Sequence, residues 1–178
     1  MALVTAQSLS PAEWNARLMV VMGVSGCGKS SVGQGLADAL GGHFHDGDSY
    51  HPAANIEKMS RGEPLTDADR WPWLESLARG LAAEAGIAIG GCSALRRAYR
   101  DRIRATAGEP VLFIHLAGSK ELIWSRMAVR KDHFMPVSLL DSQFATLETP
   151  QPDEPVLSVD IAAPVPDLVK AIAAALGR

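Results

Sequence analysis

Two textures alternate along this chain. Short runs that are apolar at nearly every position are separated by longer stretches in which apolar residues return three or four places apart. Leu18–Met22, Val111–Leu116 and Val156–Ile161 are runs of the first kind, with the length and continuity of parallel strands covered on both faces. His43–His45, set off by Gly41 and Gly42, and Ile87–Cys92, weakened by Gly90 and Gly91, make two more strands, the paired glycines of the latter permitting close approach of backbone or ligand. Stretches of the second kind predict helices. Val32, Leu36, Ala39 and Leu40 mark one after residue 30; Leu95, Tyr99 and Ile103 form the inner stripe of another over Ala94–Arg104. Leu122, Ile123 and Met127 follow Gly118, and Leu139, Leu140, Phe144 and Leu147 line a helix over Val137–Leu147. Further helices are expected from Ser49 to Met59, with Pro52 in the first turn, from Trp73 to Ala85, and from Leu168 to Leu176. Glu63–Leu74 reads as an irregular stretch before the Trp73 helix, and prolines 150, 152 and 155 enforce a loop.

Five strands alternating with helices, each connection long enough for a crossover, predict an α/β fold: a three-layer sandwich around a five-stranded, mainly parallel sheet. Residues 1–17 are expected to be a mobile extension holding a short capped turn within Ser8–Trp14, and residues 18–178 a single domain. With 178 residues, one substantial core is the expectation. The formal net charge of −3 gives no general affinity for nucleic acid, so any anion handling must be local. The start lacks a basic segment followed by a long apolar core, and no window approaches an uninterrupted membrane span, so neither a secretory signal nor a membrane partner is expected. Two cysteines, Cys27 and Cys92, make no disulfide or zinc framework and suit a reducing cytoplasm.

Chemistry enters at Gly23-Val24-Ser25-Gly26-Cys27-Gly28-Lys29-Ser30, which sits between the first strand and the first helix of this alternation. Its spacing is that of a phosphate cradle: backbone N–H groups turned toward phosphate oxygens, a lysine for the β/γ-phosphates and a hydroxyl for Mg²⁺. The helix that follows points its N-terminal dipole at the anion. At the end of the second strand, Asp46 and Asp48 face the ligand crevice of such a sheet. One would order Mg²⁺ and its waters and the other would receive a proton from an attacking hydroxyl; a solvated Asp-Gly turn is the competing account. Arg70 is placed to clamp a substrate anion, with an ion pair to Asp67 or Asp69 as the rival. Trp71 and Trp73 read as core anchors. Arg96, Arg102 and Arg104 read as a solvated face, whereas Arg97 and Arg100 are candidates to reach the site. Arg126 and Arg130, four apart on one helical face, suit a lid at about 126–150 that closes over the γ-phosphate, against the alternative of an exposed basic helix end. A switch GTPase would need a guanine-reading N/T-K-x-D stretch, and none is present. The pattern points to a small-molecule kinase.

The runs GVSGCGKS (Gly23–Ser30), DGDSYHPAANIEKMSRGEPLTDADRWPWL (Asp46–Leu74), CSALRRAYRDRIR (Cys92–Arg104) and HFMPVSLLDSQFATLETP (His133–Pro150) resemble the gluconate kinase (gluconokinase) family. The middle and final runs carry most of that specificity. The resemblance implies a nucleoside-monophosphate-kinase-like P-loop fold with a helical lid, often a homodimer, that uses ATP and Mg²⁺ to phosphorylate the 6-hydroxyl of D-gluconate. Carried onto these residues, the nucleotide set is Gly23, Ser25, Gly26, Cys27, Gly28, Lys29, Ser30 and Ser31, with Arg126 on the adenine side. Lys29, Asp48 and Arg130 are the catalytic set, Ser30 and Asp46 serve the metal, and Asp48, His51, Arg70, Ser93 and Arg97 line the gluconate pocket. The family usually carries lysine where this chain has Arg96 or Arg97, and a more continuous apolar third strand. A kinase for another hydroxy acid, such as a shikimate-kinase-like enzyme, and a non-catalytic nucleotide-binding module are the alternatives.

Overall fold

A computed structural model describes residues 2–129 and 137–178. In chain order the elements are β1 (Val4–Gln7), α1 (Pro11–Trp14), β2 (Leu18–Met22), α2 (Lys29–Leu40), β3 (His43–Asp46), a 3₁₀ turn (Gly47–Tyr50), α3 (Ala53–Ser60) and α4 (Asp67–Ala82). They continue with β4 (Ala88–Gly91), α5 (Arg97–Ala107), β5 (Val111–Ala117), α6 (Lys120–Val129), α7 (Val137–Thr146), β6 (Val156–Asp160) and α8 (Val165–Ala175). The sheet runs β1-β6-β5-β2-β4-β3, parallel throughout except for β1 against β6.

Side-chain alternation in β2 divides the core. Met19 and Val21 join Val32, Leu36, Leu112, Ile114, Leu157, Leu168 and Ile172 on the face covered by α2 and α8. Leu18, Val20 and Met22 join Leu74, Leu77, Leu81, Ile103 and Phe113 on the face covered by α4 and α5. All five β2 side chains are buried, the condition that lets a continuous apolar run serve a sheet with helices on both sides. Gly91 in β4 faces the Phe44 ring, where a Cβ would stand 3.1 Å from it, so the glycines do admit close packing.

Four expectations from sequence are corrected. The sheet has six strands rather than five, because β1 lies in the segment expected to be a mobile extension and pairs in register from Val4 with Val159 to Gln7 with Val156. Four half-covered residues paired across the length of the chain leave little local trace. Helix α4 starts at Asp67 rather than Trp73: Thr66 Oγ1 accepts from Asp69 N–H at 3.2 Å, and an Asp69 carboxylate oxygen accepts from Thr66 N–H at 2.8 Å. That reciprocal capping box opens the helix ahead of Pro72, which sits inside it. Helix α5 starts at Arg97 rather than Ala94, since Ala94 is left-handed (φ 42°) and Arg96 extended. Helix α8 begins at Val165, with proline in its first turn.

The α5 start is explained by Arg100, which is fully buried. Its guanidinium donates to the Ala94 carbonyl (2.9 Å), the Leu95 carbonyl (3.2 Å), the Glu148 carbonyl (3.0 Å) and both carboxylate oxygens of Glu154. All five N–H donors are used, and with the Ala94 and Leu95 carbonyls turned to the guanidinium the helix opens only at Arg97. Burial alone would raise the Glu154 carboxyl, but the Arg100 hydrogen bonds and charge outweigh it and hold the group below the usual range. Glu148 completes the tie: its carboxylate accepts from the Arg97 N–H at 2.8 Å, capping α5, while its own N–H donates to Leu95 at 2.8 Å. Arg100 therefore does not reach the site. Replacing it with Met strands Glu154 and the Ala94 and Glu148 carbonyls, and Arg100→Met is expected to lower stability by about 3–5 kcal/mol, or about 10 °C in Tm. Arg100→Met with Glu154→Leu should recover only part of this in thermal melts, because the carbonyls remain unpaired.

His115 on β5 is buried beside this pair, and its Nδ1 has no partner. Burial first, and then the Arg100 charge, push its pKa down to about 4 from an ordinary 6.5. Between those values the unfolded chain holds the proton and the folded chain does not. Stability is therefore expected to fall by up to about 3 kcal/mol as pH drops from 6.5 to 4. Denaturant titrations at several pH values should show that dependence shrink in His115→Gln.

Candidate active site

The loop Gly23–Gly28 leaves the C-terminal end of β2 and delivers Lys29 as the first residue of α2. Gly23, Gly26 and Gly28 all have positive φ (147°, 81° and 101°), a path that L side chains resist. At Gly26 space adds to the demand, for a Cβ would stand 2.6 Å from Met127 Sδ. Lys29 Nζ donates to the Gly23 and Val24 carbonyls, each at 3.0 Å, so its ammonium lies over the loop that carries it. Ser30 and Ser31 are exposed in the first turn of α2, where N–H groups and dipole favour an anion. Cys27 is buried, and desolvation raises its thiol above the usual range. Burial likewise pushes Cys92 up to about 12. Both thiols stay protonated, and neither is a nucleophile.

On the β5–β6 side, Gly26, Cys27, Gly28, Arg126, Ala163, Pro164 and Val165 line a cleft of about 230 Å³. Arg126 donates to the Ala162 carbonyl at 3.3 Å. A larger hollow of about 420 Å³ lies at the β1–β6 edge among Leu3, Thr5, Ser119, Ser158 and Asp160. Its one charged group, Asp160, accepts from the Ala162 N–H at 2.9 Å. The smaller cleft adjoins the phosphate loop and so has the chemistry that the larger hollow lacks. Arg130 and residues 131–136, one part of the expected lid, lie outside the described residues.

On the other side of β2, β3 ends at Asp46 beside Gly91 of β4. Asp46 Oδ1 accepts from the Asp48 N–H at 3.0 Å, which fixes the turn, and both carboxylates are exposed. Gly47, between the two acids, lies against Gly91 and Cys92 at the end of β4, where a Cβ on it would collide with the Gly91 carbonyl oxygen. The Ser93 carbonyl there accepts from the Gly23 N–H at 3.2 Å, joining the acceptor-side loop to the phosphate loop.

His51 stacks on Trp73, ring centroids 4.1 Å apart, and Trp73 Nε1 donates to the Gly47 carbonyl at 2.7 Å. Buried Asn55 bridges the His51 Nδ1 (3.3 Å) and the Asp69 carbonyl (2.9 Å). An amide nitrogen can only donate, so Nδ1 is the acceptor and the His51 proton sits on Nε2. Desolvation lowers the His51 pKa; Asp48 opposes this and Arg70 adds to it. His51 is thus a neutral donor at pH 7 between an acid and a guanidinium. Asp69 holds this corner too: hydrogen bonding from Lys58, then from Thr66, brings its pKa to about 2.

Arg70 lies 3.6 Å from Asp67 and 5.6 Å from the centroid of the Tyr99 ring. Asp67 also accepts from Tyr99 OH (2.6 Å) and from Arg96 (3.3 Å), so the ion pair foreseen as a rival reading exists and holds the arginine in place. Arg97 stands apart from this group: its guanidinium bonds Asp153 at 3.0 Å and lies 4.0 Å from Asp101. Sequence reasoning missed the supporting residues Asn55, Gln143 and Glu148, and the second part Asp69 plays in capping α4. Only the T-x-x-D signature at Thr66–Asp69 was there to be found, since the others act through contacts distant in sequence.

The shikimate kinase family model matches residues 25–149. A gluconokinase of Gluconobacter oxydans is 51% identical over 146 residues, covering 80% of this chain and 82% of its own. The thermosensitive gluconokinase of Escherichia coli K12 is 48% identical, covering 80% and 78% respectively. The crystal structure of a gluconokinase from Sinorhizobium meliloti 1021 superposes with a TM-score of 0.82 at 47% identity, over 90% of this chain and 91% of that one.

Proposed function

Since the chain belongs to the gluconokinase family, within the shikimate kinase group of P-loop domains, we infer that it transfers the γ-phosphate of ATP to the 6-hydroxyl of D-gluconate. The observation that supports this reading is the glycine-built loop that sets Lys29 at the start of α2, tied through the Gly23 N–H to the Ser93 carbonyl of the turn after β4. A glycine-built cradle at a helix N-terminus suits a polyphosphate, and the adjoining cleft with Arg126 suits the nucleoside.

Among the described residues no cluster of three or more His, Cys, Asp or Glu forms a metal cage. That fits Mg²⁺, which binds mainly through phosphates and water with one or two protein oxygens; Ser30 and Asp46 would supply those here. When bound, Mg²⁺ neutralises phosphate charge and aligns the transferred group. The protein's part is positioning and charge. Lys29 leaves its loop carbonyls for the β/γ-phosphates. Asp48 orients the acceptor hydroxyl and receives its proton as the bond to phosphorus forms. Arg70, pinned by Asp67, takes the sugar-acid carboxylate, and the His51 Nε2–H donates to the acceptor. Ser93 lines the same pocket, whereas Arg97 stays paired with Asp153. Arg130 completes the charge stabilisation in this reading, and the nucleotide contacts extend to Ser31. Two free cysteines and the absence, among the described residues, of any helix able to cross a membrane accord with a cytoplasmic enzyme. The resemblance extends the reading to a homodimer.

ADP release coupled to an acceptor panel tests the activity. D-gluconate is expected to support turnover, while glucose, which has the 6-hydroxyl but no carboxylate, and shikimate are not. Turnover of glucose at a comparable rate would refute carboxylate recognition by Arg70, and ATP binding with no acceptor-dependent release would indicate a binding module. Asp48→Asn and Lys29→Ala should each lower kcat about a hundredfold or more while melting with the parent protein. Parent-like kcat in purified Asp48→Asn removes that residue from proton transfer.

A further inference from the structure

Gln143 has no part in the transfer described above, yet it grips the phosphate loop. From α7 its Oε1 accepts from the Ser25 N–H at 2.6 Å and its Nε2 donates to Ser25 Oγ at 3.1 Å. The residue is held there by its own helix: Leu140 is buried in the core, Phe144 packs against it, and Asp141 pairs with Lys120 of α6. A backbone N–H makes one well-aligned hydrogen bond, and a phosphate cradle works by offering such groups to anionic oxygens. In this structure one of them is already taken by a side-chain oxygen. The Lys29 ammonium is likewise turned onto loop carbonyls, so two polar contacts close the loop on itself.

On the nucleotide-binding reading given above, we propose that Gln143 sets nucleotide affinity by competing with phosphate for the Ser25 N–H. Its amide oxygen satisfies the donor in the empty enzyme and gives way when the nucleotide binds. A charge-assisted bond to phosphate is the stronger of the two, so the nucleotide wins, but each binding event breaks the Gln143 contact. Removing the competitor tightens binding. Making it anionic weakens binding twice over, through a firmer hold on the N–H and through repulsion of the phosphates.

The test is calorimetric titration of the full chain with Mg²⁺ and the β,γ-imido analogue of ATP, without sugar acid. Gln143→Leu and Gln143→Ala are expected to bind about threefold to tenfold more tightly than the parent. Gln143→Glu is expected to bind at least about tenfold more weakly, with the deficit shrinking as salt is raised. Equal or weaker binding by Gln143→Leu and Gln143→Ala, each checked for a folded melt, would mean that the residue only shapes the loop and would overturn the proposal. If Gln143→Leu does not fold, Gln143→Ala and Gln143→Glu decide it by their opposite signs. Failure of the parent chain to bind the analogue would defeat the nucleotide reading itself, a result distinct from unchanged affinity among variants.

Discussion

A guanidinium in the core is the constraint on which the site depends. Water would solvate Arg100 at no structural cost; buried, it must find a partner for every donor, and those partners come from two separate segments. One is the turn after β4, where Ala94 and Leu95 give up their carbonyls; the other follows α7, where Glu148 gives a carbonyl and Glu154 its carboxylate. The tie does not end there. Ser93, next to the captured carbonyls, receives the Gly23 N–H and so fixes the start of the phosphate loop. Ion pairs of this kind add little net stability compared with a well-packed apolar substitute, but they tolerate few alternative arrangements. Here the arrangement selected is the one that brings the acceptor-side turn against the phosphate loop.

Strand order then separates the two halves of the reaction. With β2 central, the cleft bearing Arg126 lies toward β5 and β6, and the acids at Asp46 and Asp48 lie toward β4 and β3. The strands flanking β2 are connected to opposite sides, so a crevice opens at its carboxyl end between divergent chain paths. A nucleotide and an acceptor can enter that crevice from different directions and meet at Lys29. The larger hollow at the β1–β6 edge takes no residue from the phosphate loop or from the turn after β3.

Legibility in the sequence followed the range of the interaction. Leu18–Met22 and Val111–Leu116 announced buried strands because solvent exclusion on both faces is a local compositional demand, and the glycines at 23, 26 and 28 announced the loop because its dihedrals are local too. The strand at Val4–Gln7 was not legible, since four residues gain their stability from partners about 150 residues away. Helix α4 was misread at its start because the polar and aromatic run Glu63–Leu74 was taken as irregular while the Thr66–Asp69 box, itself local, was passed over. Arg100 looked like a site candidate for a reason intrinsic to sequence: a buried structural guanidinium and an exposed catalytic one are the same letter, told apart only by Glu154, 54 residues on.

The shikimate kinase match over residues 25–149 takes in both most of the phosphate loop and the acceptor-side segments. A phosphate loop between a buried strand and a helix is shared equipment and cannot choose an acceptor. The choice falls to the edge beyond β4. Arg70 has its position set by Asp67 and the Tyr99 ring; His51 stacks on Trp73, and burial lowers its pKa; Asp48 sits in the turn after β3, its N–H on the Asp46 carboxylate. On the function proposed above, a linear hydroxy acid sets its carboxylate on Arg70 and its primary hydroxyl on Asp48. Reversed, it would set its carboxylate against Asp48 and leave the guanidinium facing a hydroxyl. Discrimination therefore arises as much from the penalty on the wrong orientation as from attraction in the right one, and the helix start at Thr66, which carries both Asp67 and Arg70, is the element that sets its direction.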